Sequence, residues 1–285
     1  MDNVQELDAL IAEPRREDSA RIQASGYLLE LSLDWIVLRA SENIHHLLGE
    51  SHVTLIDEPL GRFVHNQALH DLRNLFSRLS GTTGIGRAYG VRLTDEPDLV
   101  DIAFQLSDGR ALLECVPSTG HFGEYFGTVG GLIAGLASSR GQALLDGGAR
   151  RMRALTGYDR VTLVCGDQRS ESSRGAFASG SDLSTDLPEI VADCDAEPVA
   201  LFPRREEDDS VAAALLYAPA PSALDECRAA GVRATLRVAF DADGQGAFRC
   251  DSRTVREPSF ELHAAAELFA QLFALRLDID RMKDR

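Results

Sequence analysis

The sequence predicts an α+β protein whose antiparallel sheets are flanked by helices and whose last element is a long helix. Strand-like runs come in neighbouring pairs with short turns containing Asp and Gly between them, a pattern typical of antiparallel hairpins. Helical apolar spacing separates these groups of strands and returns at the end of the chain. The length of 285 residues and the hydrophobic content of 44% favour two domains.

The first half of the chain combines predicted strands with an amphipathic helix. Alternating residues over 27–31 predict one strand, and a second follows around Trp35 and Val37. Asp108 and Gly109 separate the last two strands and predict a tight hairpin turn. The helix and the remaining strands are predicted over about 66–79, 86–93, 100–107 and 111–117.

The second half begins with a glycine-rich passage over 120–148 that runs into a helix and, past Gly157, into a strand. Alternation over 232–238, a turn over 241–246 and a short run over 247–250 predict a second hairpin. The final helix carries an apolar stripe at spacings of four, three and four, formed by Leu268, Leu272, Leu275 and Ile279. Because Phe269 and Phe273 widen this arc, we expect the helix to serve both the core and a dimer interface.

Composition excludes several classes of function. A net charge of −16 argues against nucleic-acid binding, which requires a basic surface. No apolar run is long enough to cross a membrane, and the five cysteines form no CxxC pair, so we expect a cytoplasmic protein with reduced thiols and no metal site. No nucleophile-elbow, Walker, HExxH or kinase nucleotide motif occurs, and we therefore expect no enzymatic activity.

Several ordered motifs resemble one family. The stretch IQASG at residues 22–26, followed by LLEL, RASEN and LLG, resembles the PAS domain of bacterial phytochromes, although Ala24 and Ser25 stand where the family has Pro and His. The run RMRALTGYDRVTLV is similar to the opening of the phytochrome GAF domain, and later segments of that domain follow in order. The resemblance extends from about Ile22 to Ile279, nearly the whole chain.

The resemblance implies a tandem PAS and GAF sensory module that holds biliverdin in the GAF pocket. It also implies a knot, in which the arm before the PAS domain passes through a GAF loop, and a dimer whose long helices relay the signal to an output domain. The corresponding ranges are an arm over 1–20, a PAS domain over 21–120, a connecting helix over 121–148, a GAF domain over 149–257 and an exit helix over 258–285.

The residues expected to hold the pigment depart from the family pattern. No cysteine precedes Cys115, so thioether attachment at the family's usual position is excluded. The family's aspartate corresponds to Asp182 or Asp186, and the residues that normally follow, including a propionate-binding arginine, are missing. The other aligned positions are Tyr217 for an arginine, Ala223 for one histidine, Asp251 or Ser252 for the other, Val164 for a tyrosine and Thr235 for a serine.

The sequence favours the first of the following three functions and leaves the other two as alternatives. The first is a chromophore-free sensory module that forms a homodimer or heterodimer through the final helix, signals to an unknown downstream protein and needs no cofactor. The second is a photoreceptor that binds biliverdin noncovalently in a reshaped pocket. The third is a cysteine-based redox sensor with Cys250 as its first candidate, since Asp251 follows it and Arg249 and Arg253 are close in sequence.

Overall fold

Two antiparallel sheets and their flanking helices form the chain, and this architecture confirms the predicted α+β class. The computed structural model describes residues 20–79, 84–120, 123–177, 187–205, 211–241 and 245–283. The elements, in chain order, are β1 (Arg21–Ile22), β2 (Tyr27–Leu31), β3 (Val37–Ser41), α1 (His45–Leu48), α2 (His52–Leu55), a 3-10 turn (Leu60–Arg62), α3 (Asn66–Leu79), β4 (Gly86–Val91), β5 (Val100–Ser107), β6 (Arg110–Pro117), α4 (Glu124–Ala134), α5 (Gly141–Thr156), β7 (Arg160–Cys165), β8 (Gln168–Ser173), β9 (Ile190–Val191), β10 (Val199–Phe202), α6 (Pro221–Ala229), β11 (Ala234–Asp241), β12 (Gln245–Ser252) and α7 (Phe260–Lys283).

The first sheet has the strand order β1-β10-β3-β2-β6-β5-β4. Its predicted hairpin is confirmed, because β5 pairs with β6 and both turn residues, Asp108 and Gly109, have positive φ. The amphipathic helix lies where its leucine spacing predicts, and it buries Leu69 and Leu72 against a core that includes Trp35. Strand β10 is the unexpected member, since it comes from the second half of the chain and pairs with β3.

The second sheet has the order β8-β7-β12-β11-β9, and one of its faces is covered by α5 and α7. Aromatic rings fill this layer: Phe248 of β12 contacts Phe269 and Phe273 of α7 edge-on. Gly148 lets α5 come this close, because a Cβ at that position would lie 2.4 Å from the Phe273 ring. The boundary predicted at 148 falls inside α5, which is continuous from Gly141 to Thr156.

Residues 20–23 join the two halves of the chain. Arg21 and Ile22 pair with Ala200 and Val199 of β10 on one side. On the other side, the Gln23 amide donates to the Leu216 carbonyl, and the Ala218 amide donates to the Arg21 carbonyl. The short strand therefore lies between two stretches of the 190–218 segment. The predicted knot involves the arm before this strand, and residues 1–19 lie outside the described residues.

Side chains reinforce the same junction. The Gln23 amide group donates to the Ile190 carbonyl and accepts from the Ala192 amide, so it bridges to the second sheet. The buried carboxylate of Glu114 on β6 accepts from the amides of Leu215 and Leu216 at 3.0 and 2.7 Å. These contacts satisfy backbone donors that would otherwise be buried without partners.

Glu114 predicts a pH-dependent stability. Burial raises its pKa from 4.5 to about 7, although the Leu216 and Leu215 amides and Arg87 act in the opposite direction. The folded state therefore holds this proton more tightly than the unfolded chain does. The contribution of Glu114 to the free energy of unfolding is full below pH 4.5 and is lost as the pH rises through 7. Because of this group, we expect the free energy of unfolding to fall by about 2 kcal/mol when the pH rises from about 5.5 to about 8.5.

Urea unfolding of the wild type and Glu114→Gln at both pH values measures this contribution. Because the amide does not titrate, the variant should lose less stability than the wild type as the pH rises. Equal pH dependence in the two proteins would contradict the assignment.

Candidate functional site

The second sheet has a polar face, opposite the face covered by α5 and α7. Alternate residues on β7, β11 and β12 point into the aromatic core, and the residues between them form this second face. Cross-strand pairing places Asp251 between Thr235 and Arg160, and Arg249 between Arg237 and Thr162. The polar residues of this face are Arg160, Thr162, Thr235, Arg237, Arg249 and Asp251, and the apolar Val164, Ala239 and Ala247 complete it.

A buried ion triad of Arg160, Asp251 and Arg249 lies on this face. Asp251 is 0% exposed. Its Oδ2 is 2.9 Å from Arg160 Nε and 2.8 Å from Arg160 Nη2, and its Oδ1 is 2.9 Å from Arg249 Nε. The Phe177 ring lies against the Arg160 guanidinium at 4.3 Å. Both oxygens of the carboxylate are therefore engaged by arginines of the chain itself.

An apolar cluster under α6 lies beside the triad. Ala223, Leu224 and Cys227 of α6 are buried there, together with Val191 of β9. Phe177 packs against the same cluster and against Arg160, so the cluster and the triad adjoin. Side chains of the chain itself thus occupy this part of the polar face.

The structure brings several of the predicted pocket residues together. Thr235 and Asp251 are paired across β11 and β12. Thr235 is 1% exposed, and its hydroxyl has no hydrogen-bond partner in the part of the chain that the structure describes. Ala223 lies in the cluster under α6. Val164 lies on the same face, but it is largely exposed near the end of β7.

The remaining predicted positions lie elsewhere. Tyr217 pairs with Ile22 at the junction with the first sheet, away from the polar face. The hydroxyl of Ser252 is buried, contacts Thr254 and accepts from Arg256. Asp182 and Asp186 lie outside the described residues. Two members of the triad, Arg160 and Arg249, were not among the predicted site residues, because only the strand register brings them to Asp251.

Cys250, the predicted redox residue, is fully buried in the aromatic core. Burial raises its pKa well above the usual range of a thiol, although a hydrogen bond with Thr156 acts in the opposite direction. A thiol held neutral in an apolar core is a poor nucleophile. Its surroundings therefore give no support to an easily oxidised Cys250.

A second polar cluster, at the junction of the sheets and α7, contains donor types that metals use. His263, Glu189 and Glu267 place ligand atoms within 4.8 Å of one another. However, Arg87 Nη2 donates to His263 Nδ1 at 2.8 Å, which leaves the ring proton on Nε2 facing Glu189 at 2.9 Å. Arg87 Nη2 also lies 2.8 Å from Glu267. This arrangement suits an ion-pair network between α7 and both sheets, and a protonated Nε2 cannot bind a metal.

The triad predicts a specific loss of stability. Asp251→Ala should lower the free energy of unfolding by about 3–5 kcal/mol, because it leaves the Arg160 charge buried without its carboxylate. The matched control is Asp195→Asn, since Asp195 pairs with Arg228 and Arg233 at the exposed surface and should matter far less. Chemical denaturation of both variants measures the difference, and similar losses would refute the buried triad.

Solved structures share this architecture. The chromophore-binding domain of the unusual bacteriophytochrome RpBphP3 from R. palustris matches with a TM-score of 0.75 and 21% identity, covering 95% of this chain and 99% of that one. The chromophore-binding domain of Stigmatella aurantiaca phytochrome P1 matches with a TM-score of 0.72 and 23% identity, covering 91% and 95%. A longer RpBphP3 structure matches with a TM-score of 0.78 and 20% identity, covering 95% of this chain and 62% of that one.

No protein-family model and no curated protein matches the chain.

Among the described residues, no helix is both long and apolar enough to cross a membrane. The TM-scores and the extent of these matches confirm the predicted architecture. The chain therefore has the fold of the PAS–GAF chromophore-binding domains of bacteriophytochromes.

Proposed function

We propose that this chain is a phytochrome-like sensory module that works without a bilin and passes its signal through α7 to a partner protein. The observation that carries the proposal is the buried triad of Arg160, Asp251 and Arg249 on the polar face, where the resemblance places residues of the pigment pocket. The likeness to chromophore-binding domains supports the sensory class. No catalytic reaction is assigned to the chain.

The triad opposes a tetrapyrrole for an energetic reason. A bilin that displaced Asp251 from Arg160 and Arg249 would separate buried opposite charges. This separation costs several kcal/mol unless the ligand replaces each interaction. Thr235 offers one hydroxyl in return. Residues 1–114 contain no cysteine. Cys115 is buried in the core of the first sheet, so its thiol is not available to attack the vinyl group of a bilin. These features support a module that works without a bilin.

Biliverdin addition tests the proposal directly. The purified chain is mixed with biliverdin, freed of excess pigment, and its absorption spectrum is recorded in darkness and after red and far-red light. The chromophore-binding domain of Stigmatella aurantiaca phytochrome P1 serves as the matched positive control. We expect no protein-dependent red-shifted band from this chain, because the triad already fills its polar contacts.

A band that shifts with illumination would overturn the chromophore-free function and establish the noncovalent photoreceptor instead. Acid denaturation of the same sample then separates a covalent adduct from a noncovalent one, because only a covalent pigment stays with the unfolded chain.

The output surface is an exposed stripe on α7. Its four most exposed apolar residues follow the spacing of a coiled-coil seam, and they are Leu268 (37% exposed), Leu275 (61%), Ile279 (44%) and Met282 (65%). Leu272, which the sequence places in the dimer stripe, is instead partly buried and packs against the chain's own core. Phe269 and Phe273 on the opposite side are buried, so the stripe is not needed for the chain's own core. We propose that a second copy of the chain covers it, in the cytoplasm, and that a change in this helix pair is the signal.

A charge in the stripe tests the dimer. Leu275→Glu should convert a dimer into a monomer in size-exclusion chromatography with light scattering, because the carboxylate would lie in an apolar seam. Val53→Glu introduces the same group at an exposed apolar residue of α2, which is 57% exposed and not part of the stripe, and should leave the dimer intact. A monomeric wild type, or equal behaviour of the two variants, would rule out this interface.

A further inference from the structure

Two buried cysteines, Cys194 and Cys227, are neighbours in the apolar cluster under α6. Both side chains belong to the same small buried cluster, and each thiol perturbs the pKa of the other. Other contacts support the same proximity, because the side chain of Arg228, the residue after Cys227, donates from Nη2 to the Cys194 carbonyl at 2.7 Å. The Cys194 amide donates to the Arg233 carbonyl at 2.7 Å, and the Val232 amide donates to the Cys227 carbonyl at 2.9 Å. These bonds hold the backbone of the two cysteine residues close together.

The environment makes the two thiols unequal. The hydrogen bond from Cys194 lowers the pKa of Cys227, and the charge of Arg249 acts in the same direction. The same hydrogen bond raises the pKa of Cys194 above its usual value. A thiol of lowered pKa beside a protonated one is the usual arrangement of an attacking cysteine and a resolving cysteine. Cys115 and Cys250, in contrast, have pKa values raised mainly by burial.

We propose that Cys194 and Cys227 form a reversible disulfide when the protein meets a hydroperoxide. The Cys227 thiolate attacks one peroxide oxygen, the O–O bond breaks, and with hydrogen peroxide the leaving group departs as water, so that Cys227 becomes a sulfenic acid. The Cys194 thiol then attacks that sulfur, the S–O bond breaks, and a second water leaves as the S–S bond forms. The two thiols lose two electrons and two protons, and the peroxide gains them.

A cavity of about 20 Å³, enough for one water-sized molecule, is lined by sequence neighbours of the pair and not by the two cysteines themselves. Asp193 precedes Cys194 in the chain, Leu224 lies one helical turn before Cys227, and both line this cavity. Because both thiols are buried, their oxidation requires a local opening, and the short helix α6 is the element that would open.

The bond would act on the junction between the two halves of the chain. The segment from Cys194 to Cys227 contains β10 and residues 216–218, the two stretches that flank residues 20–23. A disulfide closes this segment into a covalent ring and so restrains both neighbours of the short strand β1. Oxidation would therefore tighten the contact between the first sheet and the 190–218 segment, whether or not a bilin binds elsewhere.

Peptide mapping tests the bond. The reduced full chain is treated with hydrogen peroxide, remaining thiols are blocked with iodoacetamide, and a digest is analysed by mass spectrometry with and without reductant. We expect a linked peptide pair that contains Cys194 and Cys227 and disappears on reduction. Peroxide treatment that leaves both residues alkylated, or oxidises them only to sulfinic acid, would overturn the proposal.

Serine variants provide the controls. Cys194→Ser and Cys227→Ser should each abolish the linked peptide, and Cys165→Ser, at another buried cysteine, should retain it. Cys194→Ser should still accumulate a sulfenic acid on Cys227 that dimedone traps, while Cys227→Ser should not. The reverse labelling pattern would contradict the assigned roles, and the wild-type mapping remains decisive if a variant fails to fold.

Hydrogen exchange tests the consequence. Oxidation of the wild type should slow exchange of the amides that join β1 to its neighbours, namely those of Gln23, Leu201 and Ala218. The same treatment of Cys194→Ser should leave their exchange unchanged, which separates the ring from other effects of peroxide. Unchanged exchange in a wild type that carries the disulfide would refute the coupling between the bond and the junction.

Discussion

The pairing of residues 20–23 with the 190–218 segment is the constraint on which the rest of the structure depends. The short strand β1 donates to and accepts from both of its neighbours, so its buried backbone groups are satisfied only when the two halves of the chain are assembled. Glu114 and Gln23 add side-chain bonds to the same segment. Gly26 permits the close approach, because a Cβ there would lie 2.5 Å from Leu216. The two sheets are consequently held as neighbours by directional contacts as well as by apolar burial.

The aromatic core of the second sheet and the polar face opposite it are stabilised by different interactions. The aromatic layer between the second sheet and α7 needs only apolar volume and is filled by phenylalanines. A ligand site on the opposite face would need unpaired donors, whereas the triad of Arg160, Asp251 and Arg249 satisfies its own charges. A fold can therefore persist while its site takes on a different chemistry, and the fold of a photosensory domain alone does not establish a pigment.

Helix α7 connects these features to the surface. Its buried side contacts the second sheet through Phe269 and Phe273, and near its start His263 meets Arg87 of the first sheet. Its exposed side carries the apolar stripe. The same helix thus contacts both sheets on its buried side and presents the apolar stripe on its exposed side.

The sequence alone determined the local elements, since alternation predicts strands and three-to-four spacing predicts helices without knowledge of distant residues; the hairpin at Asp108 and the helix from Asn66 to Leu79 are examples. The ordered motifs also predicted the tandem PAS and GAF architecture. Only the tertiary structure decided that β10 joins the first sheet, that Asp251 meets Arg160, and that Cys194 adjoins Cys227. These contacts join residues far apart in the chain, and strand register and packing, which no local pattern encodes, select them.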